Sequence, residues 1–137
     1  MPVRVRVDKV INIKIEEIMI NLIAGTALLY LIQLLLPNIL KSNGDQAKRA
    51  DKAVKNLMES LPVFFTVAIL SVVETTDENI SLALYWLISR IFYALIYVSG
   101  VGMKTAEGEA SKTLQPLRSL VWVASAILLI TMTLNLI

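Results

Sequence analysis

The sequence predicts an all-α integral membrane protein, a bundle of four helices, and three observations carry that prediction. Of its 137 residues, 56% are hydrophobic and only 18% charged, where soluble domains sit nearer one half and one quarter. The mean hydropathy is +0.69. Four apolar stretches, Ile18–Leu40, Leu57–Val73, Ile80–Met103 and Leu114–Ile137, each approach the roughly 20 residues that a helix needs to cross a bilayer. Residues 1–17 are then an N-terminal segment with no role legible in the sequence. Residues 18–137 form one domain, with spans at about 18–40, 57–73, 80–103 and 114–137.

Composition also excludes. The chain has no cysteine and no histidine, which removes disulfides, Cys or His nucleophiles and His-based metal sites. A net charge of +2 with no basic cluster gives nucleic acid nothing to bind. The first span lacks the small-residue cleavage pattern of a signal peptide and is too long for one, so it is expected to be retained.

Residues 2–17 largely alternate, with Val3, Val5, Val7, Ile11, Ile13 and Ile15 set against Arg4, Arg6, Asp8, Asn12, Lys14 and Glu16. A period of two argues for a strand, yet a lone strand has nothing to pair with. An interfacial segment and the front end of a long first helix both stay open. Span 1 carries Asn21, Thr26 and Gln33, whose ordinary use in a membrane bundle is hydrogen bonding between helices. Pro37 and Lys41 mark its exit, and KSNGDQ reads as a short polar turn.

Span 2 enters through a charged stripe. Arg49, Lys52, Asn56 and Glu59 stand at i, i+3, i+7 and i+10, one face of a helix bordered by Lys55. Pro62 frees a backbone carbonyl early in the span, so a kink or local widening is expected there. The acidic link ETTDEN is tight and predicts an antiparallel hairpin of spans 2 and 3.

Span 3 holds Arg90 ten residues in, ~15 Å along the helix axis and near mid-membrane. An intramembrane arginine marks a functional site by default, and its structural reading is an ion pair with Glu59. Tyr93 and Tyr97 follow at i+3 and i+7 on the same face. Interfacial aromatic anchoring would explain Tyr97 better than the deeper Tyr93. After the longest loop, span 4 opens Pro116-Leu117-Arg118-Ser119, with proline well placed in a first turn. Snorkelling alone would explain Arg118 at headgroup level.

Loops 1 and 3 with their helix ends carry Lys41, Lys48, Arg49, Lys52, Lys55, Lys104, Lys112 and Arg118, against Arg4, Arg6, Lys9 and Lys14 on the other side. This imbalance puts loops 1 and 3 in the cytoplasm and both termini opposite. The charged faces of spans 2, 3 and 4 then converge on a polar pocket open to the cytoplasm. Several cations, a carboxylate, an amide and two phenols suit a small flexible anion that carries an amino group. An arginine beside a thiol favours the thiolate, and with no cysteine in the chain that thiol must belong to the ligand.

At these residues the chain resembles the MAPEG family (membrane-associated proteins in eicosanoid and glutathione metabolism), which includes the microsomal glutathione transferases. The family's second-span pattern R-A-x-x-N-x-x-E-x-x-P is met by Lys52-Ala53, Asn56, Glu59 and Pro62, its third-span face by Arg90, Tyr93 and Tyr97, and its P-x-R-S opening by Pro116, Arg118 and Ser119. The likeness covers roughly residues 18–137. It implies a homotrimer that binds glutathione as cosubstrate between subunits, through Arg49, Lys52, Lys55, Asn56, Glu59, Arg90, Tyr93 and Tyr97. It further implies that Arg118, with Ser119, stabilises a thiolate that attacks a lipophilic small molecule arriving from the membrane. Two departures stand out: Lys52 replaces the family's arginine, and Arg118 lies 21 positions after Tyr97, beyond a long loop 3.

Two function classes follow. One is a glutathione-dependent transferase or peroxidase for lipophilic electrophiles. The alternative is a non-catalytic membrane protein of the same fold that binds and presents lipid. The combined presence of Arg118 with the Asn56/Glu59 and Arg90/Tyr97 sets favours the first, and Lys52 pulls towards the second. A small transporter is disfavoured, since the chain has no repeat pair and no pair of interrupted helices.

Overall fold

The structure, a computed structural model, describes residues 3–99, 103–104, 109–110 and 115–137, with side chains at 3–99 and 119–137. Four helices dominate: α1 Val3–Ile39, α2 Gly44–Val73, α3 Glu78–Ser99 and α4 Gln115–Leu134. Between α3 and α4 a two-residue ribbon, β1 Met103–Lys104, pairs antiparallel with β2 Glu109–Ala110. α1 packs on α2, α2 on α3 and α3 on α4, with lighter contact between α1 and α3. Helices α1, α2 and α3 are each long and apolar enough to cross a membrane. The 20 residues of α4 reach ~30 Å, the thickness of a hydrocarbon core. The chain is an integral membrane four-helix bundle.

Each buried seam runs at alternating spacings of mostly three and four residues. In α1 it is Ile15, Met19, Leu22, Thr26 and Gln33, and in α3 it is Asn79, Ala83, Trp86, Arg90 and Tyr93. Such spacing keeps one face of a helix against its neighbour along its whole length. The centre is a ring stack of Phe64 on Trp86, with centroids 4.0 Å apart and planes at 10°. Met19, Leu57 and Met132 close around it.

Residues 3–17 are helical, the front end of a 37-residue α1, and the strand alternative is not realised. A helix satisfies every backbone donor within its own segment, whereas a single strand leaves them all unpaired. Apolar side chains at a period of two scatter around a helix, and those from Val3 to Ile13 are all exposed. The turn after α1 is short because Asn43 caps α2, its Oδ1 accepting from the Gln46 N–H at 3.3 Å. α2 begins at Gly44, well before the apolar stretch, and remains one helix through Pro62.

The α2–α3 turn closes on an αL cap. Thr75 has φ 52°, and the Thr75 and Thr76 N–H groups return to the Val72 and Ser71 carbonyls at 3.2 and 2.9 Å. Glycine normally holds this position, because a β-branched residue at positive φ is strained. Thr75→Gly is expected to raise stability by up to ~1 kcal/mol, seen as a higher melting temperature in detergent.

At this end the polar residues form a knot that the composition of ETTDEN does not reveal. Asn79 is 0% exposed. Its Nδ2 donates to Ser71 Oγ at 2.8 Å and to the Met132 carbonyl at 3.0 Å, and its Oδ1 accepts from Asn135 Nδ2 at 2.9 Å. A helix end leaves its last four carbonyls without intrahelical donors. In α4 those of Thr131, Thr133 and Leu134 are taken by the N–H groups of Asn135, Leu136 and Ile137. Asn79 supplies the fourth donor. One amide thus ties α2, α3 and α4 together.

Candidate functional site

The site is built where α2 and α3 run side by side towards loop 1. Arg90 continues the seam of Ala83 and Trp86, so helical spacing alone directs it into the bundle, where it is 2% exposed. Burying a guanidinium demands partners. Its Nη2 donates to Asn56 Oδ1 at 2.7 Å. Its carbon Cζ lies 4.8 Å from the Tyr93 ring centroid, within cation–π range. Tyr93 in turn stacks on Tyr97, with centroids 5.7 Å apart. Asn56, Arg90, Tyr93 and Tyr97 therefore form one connected group spanning two helices.

The expected Arg90–Glu59 ion pair is replaced by the Arg90–Asn56 hydrogen bond, and among the described residues a salt bridge joins Lys55 Nζ to Asp51 Oδ2 at 2.8 Å. Asn56 and Glu59 are both on the stripe, and Asn56 is the one that hydrogen-bonds Arg90. Glu59 is exposed, as are Lys52 and Lys55. Arg49 is half-buried, and its Nε is enclosed without a hydrogen-bond partner, as is Arg90 Nε. The group thus brings together guanidinium N–H donors and two phenols, with the exposed Glu59 carboxylate and the Lys52 and Lys55 ammonium groups at its rim, Lys55 held by Asp51. Among the described residues no cluster of carboxylates suits a metal, and the donor set suits an organic anion instead.

Arg118 lies in the first turn of α4 by its backbone, and its side chain lies outside the described residues, as does that of Pro116. Ser119 is exposed. The polar residues of span 1 do not bridge helices as expected. Asn21 is exposed, Thr26 Oγ1 donates to the Leu22 carbonyl of its own helix at 2.8 Å, and Gln33 Oε1 is buried with no partner.

With this geometry in place, the comparison that decides identity is a family model, the MAPEG family, which matches residues 36–137. The chain belongs to the MAPEG family. No match to it was found among curated proteins or among solved structures. The matched region holds α2, α3 and α4, and so every residue of the candidate site. In this MAPEG chain the three motifs that are far apart in sequence fall on three helices of one bundle, and two of them touch through Arg90 and Asn56. Gln33 was the residue whose environment the sequence concealed, since an amide on an apolar span reads as helix-to-helix bonding. A signal was nonetheless present: Pro37, four residues later, has no N–H to give the Gln33 carbonyl.

Proposed function

We propose that this MAPEG protein is a glutathione-dependent transferase or peroxidase for lipophilic electrophiles, working at the membrane as a homotrimer with loops 1 and 3 in the cytoplasm. The observation that carries it is the joined group Asn56–Arg90–Tyr93–Tyr97, standing beside the cations of the α2 stripe. Arg49, Lys52 and Lys55 would clamp the glutathione carboxylates, Glu59 would take its ammonium, and the amide and phenols would orient the peptide.

Arg118, with Ser119 beside it, would stabilise the thiolate after its proton leaves to solvent. Two features of position support this: a guanidinium is a permanent cation, and the first turn of a helix favours an anion. The sulfur lone pair then forms the S–C bond to the electrophile, and the displaced electron pair leaves with its group or collects a proton. With a peroxide, sulfur instead takes one oxygen and releases the alcohol. A second glutathione thiol then displaces water to give the disulfide. Catalysis would consist of bringing a water-soluble and a lipid-soluble reactant together and holding the sulfur anionic.

Calorimetry of glutathione on the detergent-purified protein, with an ultraviolet scan for thiolate absorbance, tests this reading. Saturable binding with a thiolate band is the expected result. Lys52→Arg restores the planar fork that lysine lacks and should tighten binding about three- to ten-fold. No binding by either protein would favour the lipid-presenting alternative.

A further inference from the structure

α1 is longer than a membrane requires. Its 37 residues reach ~55 Å, against ~30 Å for a hydrocarbon core and ~40–45 Å with the head groups. The apolar stretch begins at Ile18 and runs to the loop-1 turn, so the excess lies at the Val3 end. There residues 3–14 form a stem in which every residue is exposed.

Such a stem is poorly made to stand alone in water. Six of the eleven residues from Val3 to Ile13 are valine or isoleucine, weaker helix formers than alanine or leucine. A helix of that length is marginal even when rich in alanine. The bilayer surface does not suit it as a cover. Its apolar side chains are spread around the stem instead of forming one face, and it continues the spanning helix without a break.

Charge and height point to a different cover. Residues 3–14 carry Arg4, Arg6, Lys9 and Lys14 against Asp8. The α2–α3 turn carries Glu74, Asp77 and Glu78, all exposed, with no cation between them. Among the described residues no ion pair joins the two sets. The Tyr30 hydroxyl of α1 donates to Met58 Sδ of α2 at 3.3 Å. Counting equal numbers of residues away from that contact along the two antiparallel helices brings Lys14 level with Glu74 and Val10 level with Glu78. Copies inserted in one membrane with one orientation share these levels. The basic stem of one therefore stands at the height of the acidic turn of the next.

We propose that residues 3–14 of one copy of this chain dock on the α2–α3 turn of a neighbouring copy, with Lys9 and Lys14 facing Glu74, Asp77 and Glu78. Repeated head to tail, the contact closes a ring. It rests on the homotrimer of the reading above and on no residue assigned to glutathione.

Because the chain has no cysteine, disulfide trapping reads the contact directly. Val10→Cys and Glu78→Cys chains with different affinity tags are co-expressed and oxidised in the membrane. The mixed pair should give a linked dimer that neither variant gives with itself. Lys9→Glu and Lys14→Glu, added to the Val10→Cys chain, should cut that link about five-fold, the worth of one or two exposed ion pairs. Glu74→Lys and Asp77→Lys in the other chain should restore it. Tags that co-purify without a mixed link overturn the stem contact and leave the homotrimer standing, whereas tags that do not co-purify overturn both. A mixed link indifferent to charge reversal also overturns the contact. So does a link within one chain, seen as a faster-running monomer of the double variant Val10→Cys/Glu78→Cys.

Discussion

Arg118→Ala is expected to lower kcat/KM for conjugation by about 10²–10³, the cost of removing one preorganised donor from a developing or resident anion. Affinity for glutathione should change far less, because the tripeptide's carboxylates and ammonium are assigned to residues of α2 and α3. The distinguishing readout is pH. With a cation beside the sulfur, the thiolate is formed below the ordinary thiol value of about 8.5, so activity should be nearly level around neutrality. In Arg118→Ala, activity should climb with pH towards that ordinary value, and the thiolate band should vanish at pH 7. Arg118→Lys keeps the charge and should recover part of the rate. If Arg118→Ala kept both full rate and a flat pH profile, the thiolate role would be wrong. A general loss of fold would show instead as lost glutathione binding.

The largest effect on stability is expected at the opposite end of the bundle. Asn79→Leu keeps the branched shape and the number of heavy atoms and removes three hydrogen bonds at once. Ser71 Oγ can still donate to the Val67 carbonyl at 2.6 Å, and the exposed Asn135 can turn to water. The Met132 carbonyl cannot, since Met132 is fully buried and no backbone N–H reaches it. Leaving it orphaned while untying α3 from α4 should cost about 2–4 kcal/mol, measured by denaturant unfolding in detergent micelles. Asn135→Ala, which removes only the exposed member, should cost under ~1 kcal/mol. Equal losses from the two variants would show that the knot is not centred on Asn79.

The membrane class, the four helices and the α2 and α3 faces were legible in the sequence, because apolar length and helical spacing alone determine them. That the faces carrying Arg90 and Asn56 converge was legible as well. Which acceptor Arg90 takes was not. Asn56 and Glu59 differ by less than a turn on the same stripe, and the choice depends on how α2 is rotated against α3, which no spacing within a single helix records. Asn79 was hidden for a similar reason. It stands in an acidic turn that composition reads as solvated, and only the return of α4 to that turn places a bare carbonyl over its amide. Residues 3–17 carried the opposite hazard, a clear strand alternation overruled by the lack of any strand to pair with.

The Asn79 knot has a mechanical consequence. It fastens three helices at one end, and α1 takes no part in it. At the loop-1 end, the Arg90–Asn56 hydrogen bond joins α2 to α3, and the short turn capped by Asn43 joins α1 to α2. The Asn79 knot thus holds α2, α3 and α4 in register at the end of the bundle opposite the polar group.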